Sequence, residues 1–384
     1  MPVAGAALSD AIVVISDLVE ESPGYPPHQP DKHPGPLGQG TKPHVVGGYL
    51  ERLPLAAVHS GMARFAEIWH HHRGSGIASR RDGDLLTRRA FAVDSHAPFH
   101  SEAMLGFIRQ HGAPKILCVL GLGVSEAILD ACSTSAIIYN SIDVPALRVP
   151  PETSRHFDLV ITGSDWQSDD VRARHPDMPT MVLPIGPDFA SADTFFPIPD
   201  AEKRYDVVYV AAAQPYKRHD ILFDALGRSP QPLKALCVMG YGEDGDRLRA
   251  DAAHRGLNVD FVGPPGVSHD EVNRLINQAR VGVVCGQDDG APAILTEYML
   301  AGLPVVANAN LRCGLQYIRP DTGLAAAPER FEQAILQALE RQGWATRQVV
   351  LDHWAWPRSI AKLADLVRAP RLPSTLFHNE PEYV

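Results

Sequence analysis

The chain has 384 residues, of which 45% are hydrophobic and 21% charged, and its formal net charge is −10. This length predicts two globular domains with sizeable cores. The acidic balance excludes a general affinity for nucleic acid, no apolar run approaches the roughly 20 residues of a membrane span, and the acidic N-terminal stretch is unlike a secretory signal.

Short apolar strands and amphipathic helices alternate along the first half of the chain. The segment AIVVISDL (11–18) is the first predicted strand. A Pro-, Gly- and His-rich stretch at 22–44 follows, which is either a disordered insertion or a functional loop. Apolar residues at helical spacing predict a helix in 47–72. Further strands are predicted at 89–93, 115–121, 136–140, 158–163 and 181–186, with helices in SEAMLGFIRQHG and SEAILDAC.

The same alternation restarts in the second half. Strands are predicted at 205–213, 234–240, 259–263, 280–286 and 303–308, with helices near 218–227, 244–256, 269–278, 292–301 and 328–342. This pattern predicts parallel sheets with right-handed crossovers, that is, two Rossmann-like, doubly wound α/β domains facing each other across a cleft. The predicted divisions are 1–190, 191–355 and 356–384, with a linker at 188–204 and a last helix at 356–369 that returns to the first domain.

The five cysteines are far apart and odd in number, and most lie in apolar runs. This pattern indicates reduced, buried thiols in a cytoplasmic protein. None of the pairs has a short ligand-type spacing, so no metal site is predicted. The cysteines are Cys118, Cys132, Cys237, Cys285 and Cys313.

Ligands of doubly wound folds bind beyond the carboxyl ends of the strands, so the loops there are the candidate site. Lys217 and Arg218 follow the first strand of the second half at a helix start, where cations strengthen a phosphate site. The alternative interpretation is that Lys217 and Arg218 are two solvated charges on a first helical turn. Gly240 and Gly242 follow the next strand in a G-x-G pattern, which by itself only turns the chain. Val262 ends the third strand before Gly-Pro-Pro, a rigid wall suited to flank a planar base.

The segment DDGAPAILTEYMLAGLPVVAN (288–308) carries an acid in the loop, Asp289, and another on the following helix, Glu297. Carboxylates accept paired hydroxyl hydrogen bonds and so suit sugar and ribose diols. The alternative is a helix-capping acid and a solvated helix residue. Between the two acids lie backbone amides and a proline suited to a first helical turn, in the run Gly290, Ala291, Pro292, Ala293, Ile294 and Leu295.

Taken in order, K-R, G-x-G, F-V-G and D-G-A-P-A-I-L-T-E-Y-M-L-A-G-L-P-V-V-A resemble the C-terminal domain of GT-B glycosyltransferases of the GT4 (group 1) family. Its E-x7-E pattern appears here as D-x7-E, from Asp289 to Glu297. The resemblance covers about 180–350. It is weaker in the first half, where Gly47 and Gly48 before a helix are similar to the family's glycine loop.

The resemblance implies a retaining transferase that uses a nucleotide-diphosphate sugar and needs no metal or other cofactor. It implies that Lys217, joined by Arg218, contacts the diphosphate, that Glu297 holds the ribose, and that Asp289 holds the sugar hydroxyls. Amides from Ala291 to Leu295 would face the phosphates or the sugar, and Gly47 and Gly48 would let the first domain approach the donor.

The sequence departs from the family pattern at three places. Ala211 and Ala212 stand where the family has Gly-Arg, the first acid of the pair is Asp, and KILCVLGLG lacks the family's histidine. His96, His100 and Asp143 are further cleft candidates, although a histidine on a loop is more often at the surface.

Several alternatives stay open at this point. One is a catalytically impaired GT-B binding or scaffold protein, and another is a different sugar-nucleotide enzyme such as an epimerase. A phosphorylase would need a longer chain, and a Rossmann oxidoreductase is disfavoured because GLGVSE (121–126) lacks the third glycine of G-x-G-x-x-G. The acceptor is open between a glycan, a lipid carrier and a small molecule, and so is peripheral membrane contact.

Overall fold

A computed structural model describes residues 7–23, 50–182, 192–290, 292–354 and 356–368. The predicted Gly47, Gly48 and Ala291, and most of the 22–44 loop, lie outside the described residues. Among the described residues, no helix is long and apolar enough to cross a membrane.

The N-terminal sheet has eight strands in the order β3-β4-β2-β1-β5-β6-β7-β8. All neighbours run parallel except β3 and β4. The strands are β1 (Ala11–Glu20), β2 (Phe65–His72), β3 (Ile77–Asp82), β4 (Leu86–Ala92), β5 (Ile116–Leu120), β6 (Ala136–Asn140), β7 (Leu159–Thr162) and β8 (Thr180–Val182).

Within the described ranges, five α-helices connect these strands. They are α1 (Arg52–His59), α2 (Glu102–His111), α3 (Glu126–Ala131), α4 (Pro151–Ser154) and α5 (Asp165–Arg174). The predicted helix in 47–72 is wrong beyond residue 59, because 65–72 forms β2. That strand is covered on both faces, and several of its polar side chains have partners inside the protein. Glu67, for example, accepts from Arg89 Nε at 2.6 Å and from Trp69 Nε1 at 2.7 Å.

The C-terminal sheet has six parallel strands in the order β11-β10-β9-β12-β13-β14. This is the doubly wound order 3-2-1-4-5-6, whose direction reverses between β9 and β12. The strands are β9 (Tyr205–Val210), β10 (Ala235–Val238), β11 (Val259–Val262), β12 (Ala279–Val284), β13 (Val305–Asn308) and β14 (Gly323–Ala326).

The helices of the second half are α6 (His219–Arg228), α7 (Gly245–His254), α8 (His269–Ile276), α9 (Ile294–Leu300), α10 (Phe331–Glu340), α11 (Thr346–His353) and α12 (Trp356–Arg368). Successive strand residues face opposite layers: Val13 and Ile15 lie in one cluster, Val14 in the other. The last helix packs on the N-terminal domain, since its Ile360 and Leu363 lie in the same hydrophobic cluster as Val14.

Candidate functional site

The C-terminal sheet brings two predicted site loops together at its switch point. Strands β9 and β12 are neighbours in the sheet, and the loops at their carboxyl ends carry Lys217 and Asp289. In open α/β sheets this crevice is where ligands bind.

Lys217 closes a short 3-10 turn, Pro215–Lys217, between β9 and α6. The hydroxyl of Tyr209, in β9, donates to the Lys217 carbonyl at 2.5 Å and ties the turn to the sheet. The next residue, Arg218, takes a left-handed conformation with φ of 52°. Non-glycine residues in this region are uncommon and concentrate at functional sites. The turn is therefore held in a fixed, strained shape.

The Lys217 ammonium contacts the Asp289 carboxylate directly. Their side chains are 16% and 13% exposed, so the pair is mostly shielded from water. A shielded ion pair is stronger than a surface pair, yet both groups stay within reach of a ligand entering the cleft. The structure thus brings together a cation suited to phosphate and a carboxylate suited to accept hydrogen bonds from hydroxyl groups.

Arg218 is engaged elsewhere. Its Nε and Nη2 donate to the Asp220 carboxylate at 2.9 and 2.7 Å, in the first turn of α6. This hydrogen bond is the main cause of the raised pKa of Arg218 and the lowered pKa of Asp220. In this structure, Arg218 faces an acid of its own helix.

Sequence reasoning missed two tyrosines beside this pair. The Lys217 ammonium lies 4.9 Å from the Tyr216 ring centre. Burial, a hydrogen bond with Tyr241 and the charge of Asp289 raise the pKa of Tyr216. Tyr241 is 61% exposed, which is unusual for a large aromatic side chain. The sequence could have indicated both, because Tyr216 directly precedes Lys217 and Tyr241 lies between the two glycines of the G-x-G pattern.

His219 was also missed. It is buried against Tyr209, with ring centres 4.8 Å apart, and its Nε2 has no hydrogen-bond partner among the described residues. Burial, followed by the positive charges of Lys217 and Arg247, lowers the pKa of His219 to about 4. This histidine is therefore neutral at physiological pH and adds no charge to the site.

The G-x-G turn after β10 lies against the exit of β9. Gly242 has φ of 115°, and a Cβ there would collide with the Ala213 backbone, so glycine is required. The Ala213 N–H donates to the Tyr241 carbonyl at 2.6 Å, and the Asp244 N–H donates to the Ala213 carbonyl at 2.9 Å. Gly240 is exposed at the same edge.

Val262 is half-buried at the end of β11, and its carbonyl accepts the Met239 N–H at 2.8 Å. The predicted base-flanking segment therefore adjoins the G-x-G loop.

The helix after Asp289 begins later than predicted. Helix α9 starts at Ile294, and the Leu295 N–H donates to the Pro292 carbonyl at 3.1 Å. Leu295 is fully buried, and its predicted amide contact with a ligand stays a prediction. Ala293 occupies the N-cap position of the helix, and Glu297 is half-buried in its first turn.

Tyr298 fixes α9 to the strand that leads to Lys217. Its hydroxyl accepts the Val210 N–H at 2.7 Å and donates to the Val208 carbonyl at 3.3 Å. The helix carrying Glu297 and the strand leading to Lys217 are thereby held in one frame.

The N-terminal domain reaches this site through Asp143. A Cβ on Gly290 would collide with the Asp143 backbone, so the two domains approach closely at this point. The Asp143 carboxylate accepts from Arg148 Nη1 at 2.9 Å, and its carbonyl accepts from Gln167 Nε2 at 2.7 Å. Asp143 therefore lies at the cleft, beside the loop of Asp289.

His96 and His100 are placed differently. His96 is exposed, while His100 hydrogen-bonds Ser125 Oγ at 2.8 Å and Glu102 Oε1 at 2.9 Å. Within the described ranges, no hydrogen bond or ion pair joins either histidine to the C-terminal domain. Nor does that part of the chain contain three His, Cys, Asp or Glu side chains grouped to hold a metal ion.

Comparison with known proteins gives one family match. Residues 191–349 match the family model described as "Glycosyl transferases group 1". The matched range contains β9 to β14 and the Lys217–Asp289 pair. No curated protein matches the sequence.

Several solved structures share the fold. HepE from Anabaena, in complex with UDP and glucose, is 14% identical, with 92% of this chain and 98% of that chain covered and a TM-score of 0.61. Sucrose-phosphate synthase from Thermosynechococcus elongatus is 18% identical, with 93% and 94% covered and a TM-score of 0.58.

The pneumococcal O-GlcNAc transferase GtfA, in complex with UDP and GlcNAc, is 12% identical. The alignment covers 76% of this chain and 66% of that chain, with a TM-score of 0.53. The chain thus spans just under two thirds of the length of GtfA. At these identities the likeness is one of fold.

Proposed function

We propose that this chain, which has the GT-B fold and whose residues 191–349 match the group 1 family model, is a glycosyltransferase that transfers a sugar from a UDP-sugar to a hydroxyl-bearing acceptor, with retention of configuration. UDP is the first choice of donor nucleotide because the structures of HepE and GtfA both hold it.

The contact between Lys217 and Asp289 at the switch point carries this proposal. When the donor binds, its diphosphate replaces Asp289 as the partner of Lys217. The freed carboxylate then accepts the hydroxyls of the donor sugar, and Glu297 holds the ribose. Exchange of one anionic partner for another keeps the ammonium neutralised throughout.

Catalysis in this proposal is mainly electrostatic. As the bond between the sugar and UDP breaks, negative charge grows on the diphosphate oxygens. A fixed cation in a shielded site stabilises that charge strongly because water need not reorganise around it. Closure of the two domains excludes the water that would otherwise hydrolyse the donor.

We propose the boundaries 1–190, 191–355 and 356–384 for the N-terminal domain, the donor-binding domain and the returning helix with its tail. The five buried, free cysteines support a reducing, cytoplasmic location. The acceptor, whether glycan, lipid carrier or small molecule, would meet the donor from the N-terminal side.

A second candidate is a binding or scaffold protein that retains the fold and has lost turnover. It is favoured by Ala212, which is buried where the resembled family has an arginine. This candidate predicts nucleotide-sugar binding without release of the nucleotide.

A thermal-shift screen against UDP-, GDP-, ADP- and TDP-sugars tests the proposal. A ligand at 100 times its dissociation constant stabilises the protein by about 3 kcal/mol. We expect the shift to vanish in Lys217→Ala and in Glu297→Ala, with the unfolding transition itself preserved. UDP release from the donor then separates an active enzyme from a binding protein.

The chain offers a matched control in Lys234. It pairs with Asp260 at 3.0 Å and lies 4.9 Å from the Tyr205 ring, but at the amino edge of the same sheet. Lys234→Ala should therefore keep the full ligand-induced shift. Normal binding by both site variants would show that the assignment of Lys217 and Glu297 is wrong.

A further inference from the structure

A third basic residue lies at the same edge of the C-terminal sheet. Arg312 is on the loop after β13, and its backbone N–H donates to the Gln287 carbonyl at 3.0 Å, which ties this loop to the one carrying Asp289. The neighbouring Cys313 is close enough to Asp289 that, after burial, the carboxylate contributes to the raised pKa of its thiol. Arg312 thus lies beside the predicted site.

The N-terminal domain holds Arg312 in place through Trp166, in the first turn of α5. Trp166 Nε1 donates to the Arg312 carbonyl at 2.7 Å, and the guanidinium lies over the indole ring at 4.5 Å from its centre. Main chain and side chain of Arg312 are therefore both positioned by one residue of the other domain.

A guanidinium that lies over an aromatic ring can still donate its N–H groups to an anion. Two such donors match a pair of phosphate oxygens in geometry. A stacked arginine is thus already ordered for phosphate binding and loses less side-chain entropy when the ligand arrives.

Two further contacts surround this pair. Gln316 Nε2 donates to the Gly163 carbonyl at 2.9 Å, and the Ser164 hydroxyl lies 3.6 Å from the Cys313 sulphur. We call Gly163, Ser164 and Trp166, with Arg312, Cys313 and Gln316, the interdomain contact. It places Arg312 where the two domains meet.

The charges at this edge distinguish Arg312 from the cations that the sequence predicted. Lys217 is paired with Asp289, and Arg218 with Asp220. In the part of the chain that the structure describes, no carboxylate forms an ion pair with Arg312. Its positive charge is therefore available to a ligand without displacing an internal acid.

We propose that Arg312, positioned by Trp166, binds the diphosphate of the donor. This inference rests on the proposed function and adds a residue to the donor site. Because the arginine and its support belong to different domains, diphosphate binding is coupled to the approach of the domains. Loss of the tryptophan must then weaken binding even though Trp166 does not touch the ligand.

Calorimetric titration with UDP, GDP, ADP and TDP, each beside its free nucleoside, tests this role. For the diphosphate that binds wild type most tightly, we expect Arg312→Gln to weaken binding at least tenfold and to change nucleoside affinity less than twofold. Trp166→Leu should weaken diphosphate binding severalfold. Trp166→Phe, which keeps a ring, should have a smaller effect.

Arg341→Gln is the matched control. Arg341 also lies over a tryptophan, at 4.1 Å from the Trp344 ring, but after α10 and away from the interdomain contact. It should bind like wild type. An Arg312→Gln variant with diphosphate affinity within twofold of wild type, or with equal losses for nucleoside and diphosphate, overturns the inference and leaves the proposed function standing. If wild type binds none of the four diphosphates, the proposed function fails and this inference with it.

Discussion

The two sheets carry different chemistry at corresponding positions. In the C-terminal sheet, the switch point between β9 and β12 holds Lys217 in contact with Asp289. In the N-terminal sheet, the equivalent point lies between β1 and β5, where the Asp17 carboxylate lies against Gly121 and receives the Leu122 N–H at 3.4 Å. Among the described residues, no lysine or arginine forms an ion pair with Asp17.

Topology therefore determines where a ligand binds, while the side chains decide which charge it carries. A diphosphate needs a cation, and among the described residues the C-terminal switch point offers Lys217. The N-terminal switch point offers a carboxylate and suits a neutral, hydroxylated partner. Under the proposed function, this contrast assigns the donor to the C-terminal side of the cleft and the acceptor to the N-terminal side, and variants on either side test that assignment.

The largest expected effect is that of Asp289→Asn. The amide cannot replace a carboxylate that accepts two sugar hydroxyls, so turnover should fall about 100- to 1000-fold. The affinity for UDP should stay within threefold of wild type or increase, because the charge of Asp289 no longer competes with the diphosphate for Lys217. Phosphatase-coupled UDP release and calorimetry measure the two quantities.

Asp260→Asn, in the surface pair with Lys234, is the control and should leave both quantities unchanged. If Asp289→Asn loses UDP affinity and turnover to the same extent, Asp289 binds the nucleotide and not the sugar.

The next prediction concerns acid stability, since the N-terminal domain buries His71 and neither of its ring nitrogens has a hydrogen-bond partner among the described residues. In the N-terminal domain, burial, followed by the charges of His70 and His72, lowers the pKa of His71 to about 4. Between pH 6.5 and 4 the unfolded chain binds a proton that the folded protein resists. The stabilisation is complete above pH 6.5 and is lost as the pH falls towards 4, by about 3 kcal/mol.

His71→Phe, which keeps a ring against Phe99, should therefore flatten the loss of unfolding free energy between pH 7 and pH 4.5 in urea titrations. The exposed His59 gives the control, because His59→Gln should keep the wild-type slope. An unchanged slope in His71→Phe would show that other groups cause the acid sensitivity.

Five of the six strands described in the C-terminal sheet, β9 to β13, could be predicted within a few residues because they are continuous apolar runs, whereas β14 (Gly323–Ala326) was not predicted. The N-terminal strand β2 could not, since FAEIWHHH mixes polar and apolar residues in a helix-like pattern. The carboxylate of Glu67, in this strand, is paired with Arg89, 22 residues along the chain. Pairings of this kind are tertiary and leave no local signal.

The site shows the same limit. Lys217 and Asp289, 72 residues apart, were expected at one edge because each follows a predicted strand. Arg312 was not expected, because its position depends on Trp166, 146 residues away in the other domain. The sequence pattern of one domain predicts which residues the strands of that domain bring together. It does not predict which residues are positioned by contacts with the other domain.

Gly290→Ala probes the approach of the two sides directly. The new Cβ would collide with the Asp143 backbone, so the domains would have to separate locally. We expect turnover to fall about tenfold, or 1.4 kcal/mol in activation free energy, with UDP affinity within threefold. Gly106→Ala, in α2 with no atom within 4 Å of the added Cβ, should keep full activity. Wild-type turnover in Gly290→Ala would mean that close approach at this point is not needed.

The smallest expected effect belongs to Tyr298→Phe, which tests whether the donor side is one rigid frame. Removing the hydroxyl leaves the Val210 N–H without its acceptor and should lower the free energy of unfolding by about 1 kcal/mol. Tyr205→Phe is the matched control, because that hydroxyl bonds Asp260 near the surface at 2.9 Å and should contribute less than about 0.5 kcal/mol. Denaturant titration measures both. Equal losses would mean that the bond between α9 and β9 is no stronger than a surface contact, and that Glu297 and Lys217 are held together by apolar packing alone.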